Sequence, residues 1–172
     1  MNIIISENDF SPQVYSSFTL DKKTIKNNKD GIVELLNVIL NEGLEKNSNI
    51  SFKDSSGELA TAKNDFENSL QSMAKIISTT TITESTFNIA KAKLLVSLEK
   101  QDHDYDETVN AVSISALSLN DLQEFYNQIT PNTTYLTVAG NIKSDEAKTA
   151  VKNAFGNWNK EIRKPKSVLE SK

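Results

Sequence analysis

Residues 30–43 read DGIVELLNVILNEG, and the fold turns on how this stretch is read. Its apolar residues are Ile32, Val33, Leu35, Leu36, Ile39 and Leu40, which recur at helical spacing and make one broad apolar face. That pattern specifies a buried helix. Asp30 is placed to cap its start and Gly43 its end.

Strand signals lie before this helix. Ile3-Ile4-Ile5 is a β-branched run and a first strand. Asn8, Asp9, Ser11 and Pro12 mark a turn. Val14 to Leu20 alternates, with Val14, Ser16, Phe18 and Leu20 on one face and Tyr15, Ser17 and Thr19 on the other. Asp21 to Asp30 is polar and reads as a loop.

Beyond the helix, Ile50 to Lys53 is a short strand, Asp54 to Gly57 a turn, and Leu59 to Lys63 the return strand of a hairpin. Asn64 and Glu67 form a capping box for a helix carrying Phe66, Leu70, Met73 and Ile77 on one side. Ser78 to Thr83 breaks it. Thr83 caps the next helix, which buries Phe87, Ala90, Leu94, Leu95 and Leu98 and turns Lys91, Lys93 and Lys100 to water. Glu107 to Ala116 is a short helix. Ser118 caps a better one, with Leu119, Leu122, Phe125, Tyr126 and Ile129 inside and Pro131 as its stop. Thr133 to Ala139 is a strand ended by Gly140. Ser144 caps a final helix that buries Ala147, Val151, Ala154 and Phe155, closed by Gly156, with Trp158 packing back on it.

Clustered strands and clustered helices, without strict βα alternation, specify an α+β fold. The arrangement that hides every apolar stripe is a mixed or antiparallel sheet with helices packed mainly on one face. Residues 1–160 form a single domain, and the charged, aperiodic residues 161–172 form a tail or linker. A chain of 172 residues, 37% hydrophobic and 24% charged, buries one real core.

Composition narrows the function. A net charge of −4 argues against nucleic-acid and anionic-membrane partners. No run approaches the ~18 apolar residues of a membrane span, and Asn2 to Ser6 is too short for a targeting core. The absence of Cys excludes disulfides, thiolate catalysis and Cys-ligated metals and leaves the compartment open. The single His, His103, sits in a polar connection, so no Ser–His–Asp arrangement arises. Asp102, Asp104 and Asp106 imitate the opening of a calcium loop. Glu107 and Ser113 then stand where that loop needs Gly and Glu, so the segment reads as an acidic connector ahead of a helix. No phosphate-binding or dinucleotide glycine pattern is present.

A series of motifs in order carries a resemblance. The helix bracket runs from Gly31 to Gly43. Thr83 to Leu98 includes the pair Ala90-Lys91. Ser118 to Tyr126 reads SLNDLQEFY, and Thr130 to Asn141 reads TPNTTYLTVAGN, followed by Ala154-Phe155-Gly156-Asn157-Trp158. Together they resemble the insulinase/pitrilysin family of zinc metallopeptidases. Its motif helix reads G-x-x-H-x-x-E-H-x-x-x-x-G, with two zinc-binding His and a water-activating Glu. The later pieces resemble the family's t-x-e-d-l-x-x-f helix, Y-x-P-x-N-x-x-L-x-V-x-G-D strand and F-G-x-W finish. Two residues depart from those later pieces: Thr130 replaces an aromatic and Asn141 an Asp.

The bracket keeps its glycines and loses its chemistry. Glu34 stands at the first His, Asn37 at the Glu and Val38 at the second His. The resemblance therefore implies a domain of insulinase/pitrilysin-like fold without catalytic residues, metal or cofactor. Glu99 lies in the kind of helix that supplies the family's third ligand, and with both His gone it is not assigned. The implied role is to complete a peptidase chamber, or to bind an extended peptide along a sheet edge for a catalytic half. The implied partners are a homologous peptidase domain or catalytic half, in a possible dimer, and an extended peptide. Two other readings stay open: a zinc-dependent peptidase active only with a partner chain, and a purely structural scaffold subunit.

Overall fold

The computed structural model describes residues 1–26, 28–100 and 105–158. His103, Asp102, Asp104 and the 161–172 tail lie outside the described residues. The strands are β1 (Asn2–Glu7), β2 (Val14–Leu20), β3 (Ile50–Lys53), β4 (Ser56–Thr61) and β5 (Thr134–Gly140). They form one sheet in the order β1-β5-β2-β4-β3. β1 runs parallel to β5, and every other pairing is antiparallel.

The expected alternation sets which face is buried. Val14, Ser16, Phe18 and Leu20 of β2 are buried, as are Leu136 and Val138 of β5, whereas Tyr15, Ser17 and Thr137 are at least partly exposed on the opposite face. All the helices that meet the sheet lie on the buried face. α1 (Ile32–Glu42) packs on β3, α2 (Phe66–Thr79) on β4 and α6 (Ser144–Phe155) on α2 and β1. α3 (Glu84–Lys100), α4 (Ala111–Ala116) and α5 (Leu119–Asn127) back this layer through α1 and α3. The fold is thus α+β, a mixed sheet with its helices on one side.

α1 is central because its apolar stripe is buried from both sides. Ile32, Leu35 and Leu36 are fully enclosed, and Val33, Ile39 and Leu40 nearly so. The aromatic closure near the C-terminus also forms as expected. The ring of Trp158 lies 5.7 Å from Phe18 and 5.6 Å from Phe155.

Local signals misplace several boundaries and caps. Asp30 does not cap α1. Gly31 does so with its backbone, at φ 84°, and no side chain bonds the helix start. A β-carbon on Gly31 would also press on the tip of the Ile114 side chain, but it is the left-handed backbone that calls for glycine there. Asn64 is not the cap of α2 either, because a single 3-10 turn over Lys63–Asp65 takes its place. Glu67 instead reaches Asn153 on α6, at 2.8 Å. The hairpin return begins at Ser56 rather than Leu59, since its pairing with β2 continues to Thr19. α2 runs on to Thr79, past the break expected at Ser78, and the hydroxyls of Ser78 and Thr79 bond carbonyls one turn back.

The short helix begins at Ala111 rather than Glu107, because Asn110 caps it and accepts from the N–H groups of Val112 and Ser113. Ser144 does not cap α6; it is the helix's first residue. Lys143 stands at the cap position without a side-chain cap bond, and the Glu7 carboxylate of β1 instead accepts from Ser144 N–H at 2.8 Å and Oγ–H at 2.6 Å. On α6 it is Ala150 that is buried, with Ala154 only partly so. Leu95, Leu98 and Leu119 are likewise partly buried. Lys91 does not simply face water: its ammonium donates to the carbonyls of Ser115 and Leu117, both at 2.8 Å, and lies over the Phe87 ring. Ser118, in contrast, caps α5 as expected, with Asp121 closing the box.

Candidate functional site

Glu34, Asn37 and Val38 lie in a cleft of about 340 Å³ between α1, β3 and α3. Glu34, Asn37, Val38 and Asn41 line it from α1, Phe52 to Asp54 from β3 and its turn, and Lys93 and Ser97 from α3. Helical spacing brings Glu34, Asn37 and Asn41 onto one face, as three- and four-residue steps do. The sequence positions singled out at residues 34, 37 and 38 are thus together at one surface. Glu99 is exposed and is not part of the lining.

The two asparagines are engaged with the neighbouring strand. The Asn37 amide donates to the Asp54 carbonyl at 2.9 Å. Asn41 bonds Phe52 twice: its amide nitrogen donates to the Phe52 carbonyl at 2.8 Å, and its carbonyl accepts from the Phe52 N–H at 2.9 Å. These are the outward main-chain groups of an edge strand. A further outward group, the N–H of Ile50, meets the Ser48 hydroxyl at 3.2 Å. Asn41 therefore behaves as a one-residue substitute for a sixth strand.

Glu34 is the one ionisable group among Glu34, Asn37 and Val38. Burial pushes its carboxyl above the usual range, and the nearby Asp54 and Asp106 add to this while Lys22 opposes it. Lys93 is drawn aside to Glu42 at 2.6 Å. Ser97 and Tyr105 share a hydrogen bond at 3.1 Å. The cleft thus holds one destabilised carboxylate, two engaged amides and an aliphatic side chain.

This donor set does not fit zinc. A hydrolytic zinc needs three N, S or carboxylate ligands and an open position. Amide side chains and valine are poor substitutes for imidazole. Among the described residues no three His, Cys, Asp or Glu side chains come together in a way that could hold a metal.

Sequence reading placed Glu34, Asn37 and Val38 and missed Asn41. Its only signal is an amide one turn beyond Asn37 on an otherwise apolar helix, which sequence alone cannot connect to Phe52.

Residues 116–171 match the family described as Peptidase M16 inactive domain. No curated protein matches the sequence significantly. A protease from Helicobacter pylori is similar in structure, with a TM-score of 0.73 at 15% identity over 89% of this chain and 47% of its own. The peptidase M16 inactive domain from Pseudomonas fluorescens gives 0.67 at 15% identity, over 90% and 47%. A chain of Complex III2 from Candida albicans gives 0.71 at 15% identity, over 88% and 43%. The chain therefore spans less than half the length of these structures.

The fold is that of the M16 peptidases, and the C-terminal third matches their inactive-domain family. The resemblance to insulinase/pitrilysin-like peptidases, as a domain without H-x-x-E-H, stands on both.

Proposed function

We propose that this chain is a non-catalytic M16-type domain that completes a peptidase-like assembly beside a homologous partner domain or catalytic half. One observation carries the reading. The helix runs between Gly31 and Gly43 and packs on β3, the residues read at the motif's chemical positions are Glu34, Asn37 and Val38, and the Asn37 amide is committed to Asp54. The frame of a catalytic helix is thus used for packing.

Peptide capture is the weaker half of the reading at this cleft. An extended peptide adds to an edge strand through that strand's free N–H and C=O groups. On β3 both groups of Phe52 are already bonded to Asn41.

The test is direct. Dialysed protein is assayed for bound zinc by atomic absorption and for hydrolysis of fluorogenic peptides, alone and mixed with an H-x-x-E-H-bearing homologue. The expected result is no stoichiometric zinc, no hydrolysis alone, and co-elution with or stimulation of the homologue. Stoichiometric zinc, or hydrolysis by the chain alone, defeats the proposal.

A further inference from the structure

The opposite margin of the sheet is built differently. β1 is six residues long and carries Ile3 and Ile4 at 42% and 59% exposure. The hydrogen bond from Asn8 N–H to the Gly140 carbonyl, with Glu7 aligned on Gly140, fixes which groups face which way. In a parallel ladder, alternate residues bond the neighbour. Asn2, Ile4 and Ser6 therefore turn their main-chain groups to β5, and Ile3, Ile5 and Glu7 turn theirs outward. Among the described residues, the outward N–H and C=O groups of Ile3 and Ile5 meet no partner. Across Asn2–Ser6 no charged side chain, Pro or bulge, the usual guards of an exposed edge, protects the strand. Glu7 at its end is turned to Ser144.

We propose that β1 is an interaction surface for a second copy of this chain, whose β1 adds antiparallel so that the two sheets run on as one. The sequence Asn2-Ile3-Ile4-Ile5-Ser6 is self-complementary about Ile4. With Ile4 opposite the second copy's Ile4, Ile3 falls opposite Ile5 and Asn2 opposite Ser6. Ile3 and Ile5, whose main chains face outward, then form the hydrogen-bonded pairs. Ile4 forms the closer, non-hydrogen-bonded pair, where β-branched side chains contact best. No like charges meet across Asn2–Ser6. This symmetry favours a second copy over an unrelated extended segment. The proposal is independent of the inactive-domain reading: either can fail while the other stands.

Sedimentation equilibrium of the whole chain from micromolar to submillimolar concentration tests it. The expected result is a reversible monomer–dimer equilibrium that Ile4→Lys and Ile3→Pro each weaken at least tenfold. Ile4 is exposed, and Pro at position 3 removes an outward N–H without touching the β5 ladder. Circular dichroism confirms that both variants remain folded. Hydrogen exchange on the unmodified protein is the second readout. The Ile3 and Ile5 amides should slow as the dimer fills, while Phe52 stays unchanged. A chain that is monomeric throughout overturns the proposal, as does a dimer equally tight in both variants or an exchange rate at Ile3 and Ile5 that ignores concentration.

Discussion

β1 and β3 are the two margins of one sheet, and they dispose of their outward main-chain groups in opposite ways. β3 is short and lies under α1, so Asn41 can reach both groups of Phe52. β1 lies beyond β5, where α6 is the helix that meets it. The side chain that β1 lends to α6, Glu7, serves the helix and leaves the strand's own edge unfilled. In this sheet the margin that α1 passes is closed by a short amide from that helix.

Five substitutions break or sharpen this contrast, and they rank by expected size. Gly140→Ala strikes the base of the open margin. Gly140 has φ 123°, and a β-carbon there would overlap the Gln13 carbonyl oxygen, a backbone atom that cannot easily move. A loss of about 3 kcal/mol or more is expected by urea denaturation, enough to unfold a marginal domain. Asn41→Ala strips the closed margin and leaves two partly buried main-chain groups without partners, at a cost of about 2 kcal/mol. It should also give Phe52 the fast amide exchange of an unguarded edge.

The next two effects depend on pH. Glu34 has its folded carboxyl raised by burial, so the folded state holds its proton longer than the unfolded chain. Stability then falls as pH rises through the ordinary glutamate value towards the raised one. Glu34→Gln should remove that loss, so the variant gains on the parent from acid to neutral pH in thermal melts. Glu7 behaves inversely. Its hydrogen bonds from Ser144 hold its carboxyl below the usual range. Its contribution is present above the ordinary glutamate value and disappears as pH falls through the lowered one. Glu7→Gln should therefore melt below the parent at neutral pH, with the gap closing in acid. The smallest effect belongs to Ile4→Lys, which should change the monomer's stability by less than about 0.5 kcal/mol.

Much of this was legible in the residue pattern because burial imposes a period. The α1 stripe, the alternation of β2 and β5 and the Ser118 cap all depend on neighbours within a few positions. What escaped depends on distant partners. Ser144 is a good cap by composition, yet its own N–H and hydroxyl donate to Glu7 from the far end of the chain. Asp30 is not the cap because the left-handed backbone at Gly31 starts the helix one residue later. At the cleft, the sequence singled out Glu34, Asn37 and Val38, which the fold brings to one surface. It could not show that Asn37 and Asn41 had acquired new partners in β3 and its turn, because those pairs span 17 and 11 residues.

Lys91 carries a last consequence. Its amine is shared between two carbonyls at the joint of α4 and α5. An acylating reagent would find this nitrogen slow to react while the joint is shut, and once modified it could no longer bridge the two. The labelling rate at this one nitrogen thus reports how often the α3–α4–α5 corner opens.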